Sequence, residues 1–252
     1  MPDLFGPQGF GADDVLNYDG SDYSVSIATQ NGLSQNWTGD QRANRTTGWG
    51  PDEDQYSWVK RRTSDTNFEN LTMFVPMFSS AGDNLSDYSR LIEANIVGAG
   101  TTPSLTYCVA GAPTFASDLP TGSKTYSETD TRWGVPWEND GTGAAKRGSF
   151  SPTSTFEMTA DFDAATVTFD ILLESNAFAL SKNYGPYTGT GSIDDNGAIS
   201  ADLATPDGVL RLRGSFFGPG AGEFAIAYGL EEDTNNDGTN ELVMIGAVGG
   251  RD

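Results

Sequence analysis

A two-residue alternation of apolar and polar side chains most constrains how this chain can fold. In one strand-like segment Leu210 and Leu212 alternate with Arg211 and Arg213, giving one apolar and one charged face. The same period returns between residues 155–162 and 166–174 and after residue 223. Because successive side chains of a strand point to opposite faces, this repetition predicts an antiparallel sheet with one buried face.

Glycine, proline and asparagine mark the ends of these segments. The corner Gly218-Pro219-Gly220 cannot continue a strand, because proline lacks an amide donor and glycine adopts angles that other residues avoid. Asn196-Gly197 is a strong hairpin signal between two further apolar segments. From Leu105 onward we count about eight strands in up-and-down order, a number that closes a small barrel filled by side chains. The predicted fold class is therefore all-β, with an eight-stranded antiparallel up-and-down β-barrel at the C-terminus.

A run of small residues at 98–103 predicts the domain boundary. Residues 1–103 are expected to form a smaller, mainly β N-terminal domain, and residues 104–252 the barrel. Within the first domain, residues 87–97 place apolar side chains at helical spacing after Asp87, a suitable N-cap. We predict a helix there, although its second half also fits a strand.

Several short motifs of the C-terminal half resemble the C-terminal barrel of the bacterial transferrin-binding protein B family and related surface lipoproteins. An opening "YCV-x-G-x-PT" segment begins at Tyr107. The family also shows a "G-x-F-[FY]-G-P" strand end, an "A-x-E-x-G/A" strand and a final "GA-x-GG-[KR]" strand. Here these stand as Gly214, Phe216, Phe217, Gly218, Pro219, Ala221 and Glu223, then Gly246, Ala247, Gly249, Gly250 and Arg251.

This resemblance implies a non-enzymatic, ligand-binding protein at the outer-membrane surface of a Gram-negative bacterium, or secreted from it. Such proteins pair a variable N-terminal handle with a barrel and bind host iron proteins, haem-carrying proteins or other host factors. The first residues lack the basic start and apolar core of a signal peptide. We therefore expect either a trimmed export signal or export without one. The alternative is a structural subunit of an extracellular filament or surface layer, which could self-assemble through sheet edges.

Charge and histidine content exclude whole classes of function. The formal net charge is −21, so phosphate backbones would be repelled and nucleic acid is not an expected partner. The chain contains no histidine, which removes Ser-His-Asp catalysis, His-ligated zinc and the usual proximal haem ligand. Haem binding would need Tyr, Met or Cys as the axial ligand. These observations favour a protein that is not an enzyme.

One locally basic, aromatic-rich stretch interrupts the acidic chain between residues 37 and 62. Aromatic and arginine side chains dominate the energetics of protein interfaces, so this stretch is the candidate surface for a protein or small-molecule ligand. The alternative is that its tryptophans fill the core of a small sheet. The candidate ligand-binding residues are Trp37, Trp49, Tyr56, Trp58 and Arg61.

An acidic loop near the C-terminus has the spacing of a calcium-binding loop. Oxygen-bearing side chains alternate from Asp233, and glycine occupies the sixth position. The acid expected at the twelfth position is replaced by Met244, whereas a shorter calcium loop would end at Glu241. The alternative is a polar turn between the last two strands. The candidate Ca²⁺ ligands are Asp233, Asn235, Asp237, Thr239 and Glu241.

Overall fold

The computed structural model shows an all-β protein, as the alternation predicts. It describes residues 15–18, 23–28, 34–38, 55–61, 68–74, 76, 86–96, 104–139, 146–177 and 180–252. Helical geometry within these residues is limited to two short 3-10 turns, Ala116–Asp118 and Pro219–Ala221. No helix in these ranges is long and apolar enough to cross a membrane.

The N-terminal strands form two small antiparallel sheets. The first has three strands in the order β1-β2-β3, and the second has four in the order β4-β5-β6-β7. Their bounds are β1 Val15–Tyr18, β2 Tyr23–Ala28, β3 Ser34–Trp37, β4 Gln55–Arg61, β5 Phe68–Phe74, β6 Ser89–Ile96 and β7 Ser104–Gly111.

The C-terminal strands form one curled antiparallel sheet in the order β10-β9-β17-β16-β15-β14-β13-β12-β11-β8. From β11 to β17 each strand pairs with the next in the chain, which is the predicted up-and-down order. The bounds are β8 Ser123–Tyr126, β9 Glu128–Glu138, β10 Lys146–Arg147, β11 Thr155–Asp161, β12 Thr166–Ala177, β13 Leu180–Ile193, β14 Ala198–Ala204, β15 Gly208–Phe217, β16 Glu223–Glu232 and β17 Leu242–Arg251.

The concave side of this curled sheet holds the main core. Strands β11 and β16 are far apart in the strand order, yet the rings of Phe156 and Phe224 stack with centroids 5.9 Å apart. Tyr126 on β8 lies 5.5 Å from Phe224, so side chains from distant strands meet across the interior. The buried apolar face that the alternation predicts is confirmed, with relative exposures of 1% for Phe156, 4% for Phe169, 1% for Ile171 and 0% for Leu212.

The four-stranded sheet packs on the convex side of part of the curled sheet. Leu91, Leu105 and Tyr107 form a second buried cluster with residues of β9, β15, β16 and β17. That cluster includes Ala225 and Ala247, whose neighbours in sequence face the concave core. Strands β16 and β17 are therefore buried on both faces, which explains their nearly continuous apolar sequence.

Three sequence predictions need correction. Residues 89–96 form β6 rather than a helix, because Leu91 and Ile92 are both fully buried on opposite faces of one strand. A strand covered on both sides carries adjacent apolar residues, which imitates helical spacing. The segment from Leu105 belongs to β7 of the four-stranded sheet, not to the curled sheet. The curled sheet has ten strands, so the count of eight is not confirmed. The division into two domains at residue 103 stays a prediction.

Candidate functional site

The motif residues that carry the family resemblance gather where the four-stranded sheet meets the curled sheet. Gly218 directly follows β15 with φ +74°, and a Cβ atom there would lie 2.5 Å from the Tyr88 ring. Gly218 N donates to Ala112 O at 3.0 Å, and Thr114 Oγ1 donates to Gly218 O at 2.7 Å. The glycine therefore serves close contact between the two sheets as well as a change of direction.

Glu223, the first residue of β16, is the polar centre of this junction. Its side chain is only 7% exposed, and its carboxylate accepts hydrogen bonds from the turn that precedes β6. Asp87 N donates to Oε1 at 2.9 Å, while Ser89 N and Ser89 Oγ donate to Oε2 at 3.0 and 2.8 Å. Tyr88 N lies 3.3 Å from Oε2, and Ser86 Oγ also donates to it. A buried carboxylate is stable only with such donors, so Glu223 ties the two sheets together.

Sequence reasoning placed Glu223 in a family motif but gave it no role. The available signal was an acid at the head of an almost wholly apolar strand. A buried charge in that position implies a set of donors elsewhere in the chain. The segment Ser86–Ser89 supplies them from 134 to 137 residues away in sequence, a distance that no local pattern reveals.

The acidic loop between β16 and β17 brings three of the five predicted metal ligands together. One carboxylate oxygen from each of Asp233, Asp237 and Glu241 lies within 4.8 Å of the others. Asp233 Oδ2 accepts from Gly238 N at 2.8 Å, and Asn235 Oδ1 accepts from Asp237 N at 2.8 Å. The loop therefore folds around its own acidic side chains.

These donors fit a calcium ion in type and separation. Oxygens about 2.4 Å from a central ion lie roughly 3 to 5 Å from one another. Asn235 contacts Glu241 Oε1 through its Nδ2 at 2.9 Å, so it lies beside the carboxylates. Thr239 takes part through its backbone, since its N donates to Asp237 Oδ1 at 2.8 Å. Whether the loop binds an ion stays a prediction.

The predicted aromatic surface is only partly described. Trp37 lies in β3 of the three-stranded sheet, whereas Tyr56, Trp58 and Arg61 lie in β4 at an edge of the four-stranded sheet. Trp49 lies outside the described residues. The backbone thus assigns these candidates to two sheets, and their union in one surface stays a prediction.

Several buried tyrosines have raised pKa values. Burial raises the pKa of Tyr228 well above its usual value, and the Tyr228 hydroxyl has no hydrogen-bond partner among the described residues. Burial also raises the pKa of Tyr107, helped by Glu93, whose Oε2 accepts from Tyr107 Oη at 2.5 Å. These phenols stay neutral and are structural, because a general base would need a lowered pKa.

Comparison with solved structures places the fold. Transferrin-binding protein B from Haemophilus parasuis Hp5, a vaccine antigen solved as a mutant, matches 93% of this chain with a TM-score of 0.51 and 13% identity. The chain has the transferrin-binding protein B fold. The match covers 47% of that protein, so this chain spans about half its length. The family resemblance inferred from the motifs is thus confirmed at the level of fold.

Two further structures match with lower TM-scores. Isotype 1 transferrin-binding protein B from serogroup B Neisseria meningitidis gives a TM-score of 0.47 and 12% identity over 90% of this chain and 39% of its own. HpuA from Kingella denitrificans, solved in complex with human haemoglobin, gives a TM-score of 0.38 and 10% identity. That match covers 98% of this chain and 92% of HpuA. No protein-family model and no curated protein matches the sequence.

Proposed function

We propose that this chain is a non-enzymatic ligand-binding protein, exported to the surface of a Gram-negative bacterium or released from it, that takes a host protein in iron or haem acquisition. The observation that carries the proposal is the fold shared with transferrin-binding protein B. The absence of histidine from the sequence supports a binding role over a catalytic one.

The packing of the curled sheet supports binding at the surface. Its concave side is occupied by aromatic and aliphatic side chains from nearly every strand, as in small barrels that hold no ligand. Ring contacts such as Phe156–Phe169 at 6.0 Å and Phe150–Tyr184 at 6.1 Å continue along this core. A partner would therefore meet the loops and outer faces, and we assign the specific contacts to the N-terminal Trp37–Arg62 stretch.

A binding assay on the whole chain tests this proposal. Transferrin and haemoglobin, the two host proteins that the matched structures name, serve as probes against the immobilised protein. We expect at least one to bind, and the double variant Trp49→Ala/Trp58→Ala to abolish that binding while the circular dichroism spectrum is unchanged. The double variant with phenylalanine at both positions is the matched control and should retain most binding.

Three results would count against it. Loss of folding in the alanine variant would show that the tryptophans are core residues rather than contact residues. Failure of both probes to bind would remove iron and haem acquisition as the function. Regular filaments of the purified protein in electron micrographs would favour the structural-subunit alternative.

We also propose that the Asp233–Glu241 loop binds Ca²⁺. The convergence of three carboxylates within 4.8 Å supports this proposal, because a divalent cation would relieve their mutual repulsion. An ion that binds only the folded state stabilises it by about 2.7 kcal/mol at 100 times the dissociation constant.

Thermal unfolding with and without calcium tests this site. We expect a higher melting temperature in millimolar calcium than in chelator, and loss of that difference in Asp237→Ala. Asp195→Ala is the matched control, since Asp195 is an exposed acid in another Asp/Asn turn and should leave the calcium effect unchanged. Coincident melting curves for the unmodified protein would identify the loop as a polar turn only.

A further inference from the structure

An exposed phenylalanine stands on the loop that joins the two sheets. Phe115 follows β7 and is 71% exposed, and Tyr88, just before β6, is 39% exposed. They are the two exposed large hydrophobic residues among those that the structure describes. Single exposed apolar side chains are common on protein surfaces, so the local geometry decides whether this pair matters.

Hydrogen bonds to the curled sheet hold Phe115 on a rigid segment. Thr114, its predecessor, is buried, and its N donates to Phe216 O at 3.0 Å. Asp118 N donates to Phe115 O at 2.8 Å and closes the 3-10 turn that follows. The exposed ring is therefore carried by a fixed backbone, so this loop would lose little conformational entropy when a partner binds.

Tyr88 flanks the same corner from the other sheet. Its ring packs over Gly218, and its carbonyl accepts from Ala112 N at 2.9 Å. Pro219 next to that glycine is exposed, as is Pro113 next to Thr114. We define the corner patch as Tyr88, Pro113, Phe115 and Pro219, an apolar surface held by both sheets.

The charges beside the corner patch are acidic. Asp87 and Asp118 are exposed and adjoin the two aromatic residues in sequence. Arg90, two residues after Tyr88, donates through Nη1 to Ser89 O at 2.7 Å, and Lys124 Nζ forms an ion pair with Asp252 at 2.6 Å. With a net charge of −21, a second copy of this chain would be repelled, whereas a cationic rim would be attracted.

We propose that the corner patch is a protein-docking surface, on which Phe115 enters an apolar pocket of a partner protein bordered by lysine and arginine. This inference rests on the proposed function and adds a contact site separate in sequence from the Trp37–Arg62 stretch. Phe115 acts as the central anchor, and the carboxylates of Asp87 and Asp118 steer the cationic border of the partner.

The same binding assay, with transferrin and haemoglobin as probes, tests the corner patch. We expect Phe115→Ser to lower at least tenfold the affinity for the probe that binds. The melting temperature should not change, because the Phe115 side chain is mostly in solvent. Asp118→Lys should slow association, and the loss should shrink as salt is raised. Ser117→Ala, an exposed change on the same turn, is the matched control and should bind normally.

The outcomes distinguish failure of the corner patch from failure of the proposed function. Unchanged affinity in both Phe115→Ser and Asp118→Lys overturns the corner patch and leaves the proposed function standing. A lower melting temperature in Phe115→Ser would assign the ring a packing role; Phe115→Tyr, which keeps the ring, must then bind normally or the patch is rejected. Failure of both probes to bind the unmodified chain overturns the proposed function and the corner patch together.

Discussion

Two arcs of the curled sheet share one interior but differ on their outer faces. In the covered arc, strands β9, β16 and β17 lie under the four-stranded sheet, and Ala225, Ile245 and Ala247 are buried there. In the open arc, strands β8 and β11–β14 face solvent, and β14 alternates exposed and buried residues along its whole length. The comparison shows that the two-residue alternation of a strand indicates how many of its faces are covered. The alternation does not indicate to which sheet the strand belongs.

The open arc carries a row of threonines where the covered arc carries alanine and isoleucine. Thr125, Thr159, Thr168 and Thr190 are directly opposite one another across four neighbouring strands. Thr125 Oγ1 and Thr159 Oγ1 lie 3.0 Å apart, so these side chains also bond to each other. Such β-branched polar residues favour strands and tolerate water, which suits a face without cover.

A lysine placed on each outer face should separate the arcs most strongly. Ala247→Lys puts a charge into a site with 0% exposure, whereas Thr190→Lys puts it into solvent. We expect the first change to cost about 3 to 5 kcal/mol of unfolding free energy and the second about 0.5 kcal/mol or less. Urea unfolding followed by circular dichroism measures both losses of unfolding free energy. Equal losses would contradict the burial of the outer face of β17 under the four-stranded sheet.

The strands of both arcs were predictable from sequence, whereas the sheet that covers one of them was not. Period-two alternation and the Asn196-Gly197 signal predicted β11 to β15, and the turn is confirmed with Asp194 Oδ1 accepting from Ala198 N at 2.8 Å. The segment of β6 was predicted as a helix, with a strand allowed only in its second half, because a strand buried on both faces loses its alternation. Which sheet covers which strand depends on contacts distant in sequence, and these leave no local pattern.

The sites divide in the same way. The spacing of Asp233, Asp237 and Glu241 predicted their convergence, because the three residues lie in one short loop. The role of Glu223 was not predictable, since its donors come from Ser86 to Ser89 in another sheet. Local motifs therefore reveal loop sites, whereas junction sites require the fold.

Removing the charge of Glu223 should loosen the junction while the open arc stays folded. Glu223→Gln turns an amide NH₂ group toward backbone and serine donors, and we expect a loss of about 2 to 3 kcal/mol. Amide hydrogen exchange should accelerate in residues 86–96 and 104–111 but not in β11–β14. Glu157→Gln, on the exposed face of β11, is the matched control. Unchanged exchange in residues 86–96 would mean that Glu223 does not hold the sheets together.

Close packing in the covered arc should make one glycine intolerant of a methyl group. Gly134, Gly246 and Tyr228 are directly opposite one another on β9, β17 and β16. A Cβ atom at Gly134 would lie 2.5 Å from Tyr228 Oη and 2.9 Å from Ile245 O. We expect Gly134→Ala to cost about 1 to 3 kcal/mol in urea unfolding. Gly222→Ala is the control, because its nearest contact would be 3.5 Å and its φ of −68° suits alanine.

The buried hydroxyl of Tyr228 should give the covered arc a smaller, pH-dependent weakness. Its pKa is raised by burial, so above pH 10 the unfolded chain loses this proton while the folded chain keeps it. The contribution of Tyr228 to the free energy of unfolding is then fully present below the unfolded-state pKa. Above that pKa it falls by about 1.4 kcal/mol per pH unit. Tyr228→Phe should remove that slope. Because the hydroxyl has no partner among the described residues, the variant should be at least as stable as the parent at pH 7. Urea unfolding between about pH 8 and pH 11 measures both effects. Parallel pH profiles for the two proteins would show that Tyr228 ionises normally and that water reaches this part of the covered arc.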